Sequence, residues 1–146
     1  GVAGLGEDGF GQAAQMIGLD TNVLLRLLLA DDEAQFRKAR QIVATVSGTV
    51  GGVLLTDVVL AELVWTLRAA YRRSKEEVVA ALDALLAQPA FAFEDRNLVI
   101  AALAVYRDGP GDFADYLVAA RNAAHGVTTT YSFDKALRGA AGVTVV

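Results

Sequence analysis

Apolar positions along this chain switch between two spacings, and the switches mark out its elements. Met16-Ile17-Gly18-Leu19 is a short apolar run that reads as a strand and leads straight into Asp20-Thr21-Asn22. Val23, Leu24, Leu27 and Leu28 follow at helical spacing. Asp31-Asp32 opens a second helix, with Phe36, Ala39, Ile42 and Val43 as its apolar stripe. Gly51-Gly52 resets the chain before the buried-strand run Val53-Leu54-Leu55, and Thr56 or Asp57 caps a helix through Trp65 to about Tyr71. Ser74 and Glu77 form a capping box for the next helix, which ends near Gln88-Pro89. Phe91-Ala92-Phe93 is a third strand, and Asp95 caps a helix from Asn97 to Tyr106. After the turn Asp108-Gly109-Pro110-Gly111 a helix runs from Asp112 to His125, with Gly126 as its stop. Val127 to Phe133 alternates as a strand, Asp134 to Leu137 is a helical turn, and Val143 to Val146 is a last strand. Strands alternating with helices predict the α/β class, a parallel sheet covered on both faces.

Composition narrows this picture. The chain has 146 residues, 54% of them hydrophobic and 21% charged, enough for one folded domain with a real core. The apolar run Val23-Leu24-Leu25 is broken by Arg26 before Leu27-Leu28-Leu29, so no segment has the length to span a bilayer. Without cysteine there are no disulfides and no thiolate metal sites, which fits a cytoplasmic protein. Met16 is the one methionine, and the glycine-rich residues 1–15 before it lack the layout of a signal peptide. They read as a leader or extension, with the domain over 16–146. The net charge of −4 has the wrong sign for gripping nucleic acid by bulk electrostatics. Any such activity must work at a local site, through bound cations or a local arginine group.

Acids stand where a parallel sheet places its ligands, beyond the carboxyl ends of strands. Asp20 ends the first strand and Asp134 ends the strand Val127–Phe133. Glu62 and Asp115 lie on helices of otherwise mostly apolar residues. Each aspartate has a plainer reading, because Asp20, Asp112 and Asp134 all stand where a helix begins and aspartate is a favoured N-cap. Asp112 and Asp115 are also spaced as a capping pair. Glu62 resists that reading, since Val59, Leu60, Leu63, Val64 and Trp65 surround it in sequence and an ionised carboxylate in apolar surroundings is costly unless paired. Its plainer alternatives are a solvent-facing stripe or a pairing with Arg68. If the carboxylates converge, they make an oxygen-only cluster suited to Mg²⁺ or Mn²⁺ and to phosphoryl transfer.

At these residues the chain resembles PIN domains, and more narrowly the VapC toxins of bacterial toxin–antitoxin pairs. Four segments carry the resemblance: Asp20-Thr21-Asn22 after a short strand, Ala61-Glu62-Leu63-Val64-Trp65, Asp112-Phe113-Ala114-Asp115-Tyr116-Leu117-Val118-Ala119-Ala120, and Tyr131-Ser132-Phe133-Asp134-Lys135. Their order and spacing agree with the family over Met16 to Val146. The resemblance implies a three-layer α/β/α sandwich with a central, mainly parallel sheet of four to five strands. It implies Mg²⁺- or Mn²⁺-dependent endonucleolytic cleavage of RNA, with Asp20, Glu62, Asp115 and Asp134 as metal-binding acids. Asp112 is then an auxiliary acid, Thr21 or Asn22 orients Asp20, and Ser132 does the same near Asp134. A homodimer and a cognate VapB-like antitoxin that blocks the site are implied as well.

Other residues fit plainer roles. His125 near a helix end reads as a surface cap and Trp65 as core packing. Arg68, Arg72 and Arg73 form a basic cluster that is either a solvated helix end or a contact for phosphates or antitoxin carboxylates. Haloacid-dehalogenase-like phosphatases require a second aspartate where Asn22 stands, and receiver domains require adjacent acids and a lysine–proline strand end that the chain lacks. The alternatives that stay open are an RNA-processing PIN nuclease without an antitoxin and a non-catalytic PIN-like binding module.

Overall fold

A computed structural model describes residues 15–46 and 48–146. The leader expected over residues 1–15 falls, Gln15 apart, outside the described residues. The described chain forms two compact units: one holds the residues up to Leu63 with Asp83–Glu94, the other Val64–Leu82 with Asp95–Val146.

The first unit is built on three parallel strands, β1 (Ile17–Gly18), β2 (Val53–Leu55) and β3 (Phe91–Phe93), in the order β1-β2-β3. Ile17 pairs with Val53, and Val53 in turn with Phe91, so β2 is the central strand. That position explains its composition: Val53 and Leu55 are wholly buried, each worth about 1.5–3 kcal/mol of burial. Helix α1 (Thr21–Leu29) follows β1 and buries Leu24 and Leu25. Helix α2 (Glu33–Ala44) starts at Asp32, whose carboxylate accepts the Gln35 N–H at 3.0 Å. Only Ala39 of its expected stripe is buried, and Ile42 is largely exposed. Phe36 and Val43 of the stripe line an open groove of about 600 Å³ with Leu27, Leu28, Leu85 and Phe91 instead of filling the core.

Helices α3 (Asp57–Ala69) and α4 (Lys75–Ala87) each have residues in both units. The α4 capping box forms as the sequence predicts: Ser74 Oγ accepts the Glu77 N–H at 3.1 Å and Glu77 accepts the Ser74 N–H at 2.9 Å. The carboxyl of Glu77 is held below its usual value, first by the Ser74 bonds and then by the Arg73 charge.

In the second unit α5 (Arg96–Asp108) packs on α6 (Phe113–Ala124), with Tyr106 and Phe113 meeting edge to face, centroids 5.9 Å apart. Strands β4 (Thr130–Ser132) and β5 (Val143–Val145) pair in parallel. The expected strand Val127–Phe133 is shorter because β5 offers only three residues to pair and the Val127 N–H is held by the Asn122 carbonyl at the helix end. A 3₁₀ turn (Lys135–Leu137) joins the two strands and buries Leu137. The turn before α6 is tied down by Tyr116, whose hydroxyl accepts the Gly111 N–H at 2.8 Å. A Cβ on Gly109 would collide with that same hydroxyl and lie 2.9 Å from the Val105 carbonyl oxygen, so the turn requires glycine there. The α/β class and parallel pairing are as expected, with five strands divided between a three-stranded and a two-stranded sheet.

Candidate metal centre

In the first unit Leu19 is buried behind β1, and the chain turns at Asp20 into α1. The Asp20 Oδ1 accepts the Val23 N–H at 3.0 Å, so Asp20 is an N-cap. That bond uses one oxygen; the other takes no hydrogen bond from the described residues. Thr21 Oγ1 donates to Glu62 Oε1 at 2.6 Å, a contact across 41 residues of sequence. The threonine therefore orients Glu62, where the sequence reading assigned it to Asp20. Asn22 is exposed, and its side chain makes no hydrogen bond among the described residues.

Glu62 itself is exposed. Contrary to the expectation from its apolar neighbours, it is not a costly enclosed carboxylate: Leu63 and Val64 turn inward while Glu62 shares an outward face with Val58, 68% exposed, and Trp65, 69% exposed. Trp65 is accordingly not the packing residue that its sequence neighbours suggested. Sequence neighbours on a helix point around the full circle, so apolar residues beside Glu62 in sequence do not enclose it.

In the second unit the charges of two candidate acids, Asp112 and Asp134, bear on a third, Asp115. Asp112 stands at the start of α6 yet makes no side-chain cap bond, so it is not a side-chain N-cap. Asp115 is half-buried one turn later. Its carboxyl is pushed above its ordinary value by desolvation first, then by the charges of Asp112 and Asp134, against a backbone hydrogen bond from Asp112 that lowers it. Asp134 caps the 3₁₀ turn through the Ala136 N–H at 2.9 Å, leaving its second oxygen without a bond from the described residues. Ser132 Oγ accepts the Asp134 backbone N–H at 3.0 Å, so the serine fixes the main chain at Asp134 and not its carboxylate. Exposed Tyr131 and Phe133 flank that serine, a pair of aromatics the sequence reading passed over.

Thus Asp20, Thr21 and Glu62 belong to one unit and Asp112, Asp115, Ser132 and Asp134 to the other. Among the described residues no three carboxylate or histidine side chains are gathered closely enough to form a ready metal cage. The donors nonetheless suit a hard divalent cation: all are oxygens, and two aspartates keep an oxygen outside their cap bonds. His125 ends α6 as its C-cap, as the sequence suggested, and Gly126 follows at φ +83°. No helix of the described residues is long and apolar enough to cross a membrane.

No curated protein matches the chain. The PIN-domain family model matches residues 17–143, from the start of β1 to the start of β5. With its strand-end aspartates and parallel strands inside that match, the chain belongs to the PIN-domain family.

Proposed function

We propose that this chain is a metal-dependent endoribonuclease of the VapC-like kind, with Asp20, Glu62, Asp115 and Asp134 as the residues that would hold Mg²⁺ or Mn²⁺. PIN domains are generally metal-dependent nucleases, and that is the frame for the reading. The observation that carries it is Asp115, half-buried and raised first by desolvation and then by the charges of Asp112, which makes no side-chain cap bond, and Asp134. Like charges brought together destabilise a fold, and functional sites are where such arrangements concentrate.

A bound divalent ion supplies positive charge for the phosphodiester and a more acidic water. The chain's own residues set the stage for it. Thr21 holds Glu62 in one orientation, and the Val23 and Ala136 amides fix Asp20 and Asp134 by one oxygen each. Ser132 anchors the backbone under Asp134, and Asp112 adds negative charge at Asp115. On the same reading the protein works in the cytoplasm as a homodimer restrained by a VapB-like antitoxin, a finer assignment that rests on the four motif segments.

The test is cleavage of mixed single-stranded RNA by purified protein with Mg²⁺ or Mn²⁺, with EDTA, and by Glu62→Gln. Cutting that needs the metal and disappears in Glu62→Gln supports the reading. Cutting unchanged in Glu62→Gln or in EDTA overturns it, as does a wild type that neither cuts RNA nor binds Mn²⁺.

A further inference from the structure

The outward face of α3 carries a second feature beyond Glu62. Trp65, one helical turn after Glu62 and on the same side, leaves 69% of its surface exposed. Three arginines follow it: Arg68 in the last turn of α3, then Arg72 and Arg73, all exposed. None of the three makes an ion pair with a carboxylate of the described residues. Glu77, whose carboxyl feels the Arg73 charge, accepts the Ser74 N–H.

The Arg68 guanidinium and the backbone that carries Arg72 and Arg73 are also held in place. Arg68 Nη1 donates to the Arg73 carbonyl at 3.1 Å, and the Arg73 N–H returns to the Leu67 carbonyl at 2.9 Å. Arg72 sits at φ +53°, a left-handed conformation that a residue with a side chain adopts at a cost. In a chain of net charge −4, an exposed indole followed by three guanidiniums that have no carboxylate partner among the described residues is a local reversal of sign.

We infer that Trp65 with Arg68, Arg72 and Arg73 forms a single-strand RNA-binding strip, Trp65 stacking on a base while the arginines meet the flanking phosphates. This rests on the reading of the protein as one that acts on RNA, and extends it from the acids to the residues that hold the substrate. Stacking needs a flat, solvent-open aromatic and tolerates any base, and guanidiniums match phosphate oxygens. A second copy centred on the patch fits it less well, because a two-fold contact with its axis there would bring like arginine clusters together, whereas a polyanion neutralises them.

Trp65 is the chain's one tryptophan, so its fluorescence reports this position alone. The experiment titrates the full chain with a short mixed-sequence single-stranded RNA in EDTA, so that the RNA stays intact, and follows tryptophan emission beside anisotropy of labelled RNA. Quenching that saturates together with binding is expected, and an abasic oligonucleotide of equal length binds without quenching. Trp65→Ala weakens binding by about 5- to 150-fold while Trp65→Phe keeps most of it. Arg68→Gln and Arg72→Gln each lower the slope of log affinity against log salt by about 0.7.

Binding without quenching, equal affinity in Trp65→Ala, or no RNA binding overturns the proposal. Emission that shifts with protein concentration and ignores RNA assigns the patch to a second copy, and overturns it too. The two readings fail separately: metal-dependent cleavage with no quenching removes this strip and leaves the nuclease, and quenching without cleavage does the reverse.

Discussion

Tyr116→Phe removes one atom and probes the turn that sets up the acids of α6. Tyr116 is 5% exposed, and its hydroxyl accepts the N–H of Gly111, itself buried. Phenylalanine fits the same space but leaves that amide without a partner and without access to water. An unsatisfied buried donor costs about 1–3 kcal/mol. For a domain of this size, 1 kcal/mol moves Tm by roughly 3–4 °C, so the variant should melt about 3–12 °C below wild type. The assay is urea unfolding followed by circular dichroism, read for a lower midpoint at an unchanged slope. Tyr131→Phe is the control, because Tyr131 is 69% exposed and should stay within about 0.5 kcal/mol of wild type. Because Asp112 follows Gly111 directly, the variant should lose nuclease activity at temperatures where it is still folded. A Tyr116→Phe protein as stable as the Tyr131→Phe control would refute the claim that this hydroxyl holds the turn.

Two other substitutions test the acids. Thr21→Val removes the hydroxyl that orients Glu62 and should cut Mn²⁺ affinity, or metal-dependent cleavage, by about 10- to 100-fold with little change in Tm; unchanged values in both would show that the bond is incidental. Asp115→Asn should raise stability at neutral pH in EDTA while abolishing cleavage. The sign follows from the shift: the folded-state carboxyl lies above its ordinary value of 3.8, so its destabilisation is absent below that value and grows as pH rises through the folded-state value. The stability gap between variant and wild type should therefore close in acid; a gap of constant size from acid to neutral pH would assign the effect to packing.

Much of the fold was legible because it is written in short-range rules. Asp32, Asp95 and the Ser74–Glu77 box are caps in the sequence and caps in the structure. β2 could be read from Val53-Leu54-Leu55 because a strand buried at both ends of its run leaves a continuous apolar stretch. What failed was inference from neighbours in sequence to neighbours in space. Glu62 and Trp65 seemed enclosed because the residues beside them are apolar, yet both are exposed. The stripe on α2 had the right period and still covers only Ala39, since periodicity marks a face without telling what meets it. Contacts such as Thr21 to Glu62 have no local signature at all: 41 residues separate the partners, and either residue alone is unremarkable in its element.

The aspartates show why sequence could not separate a cap from a metal ligand. Asp20, Asp32, Asp95 and Asp134 each accept one backbone N–H at the start of a helical segment, and by that criterion they are alike. A cap needs only one carboxylate oxygen, so capping leaves the other available and the two roles do not exclude each other. A capped aspartate is also a rigid one, which is what a site with little tolerance for misplacement requires. What singles out Asp115 is therefore electrostatic and not local: desolvation first, then the charges of two other acids. Asp134 raises Asp115 through space from another element, and Asp112, at a capping position, bonds no amide and adds its charge to the same carboxyl. Neither fact is a property of the spacing D-x-x-D; both come from where the fold places these side chains.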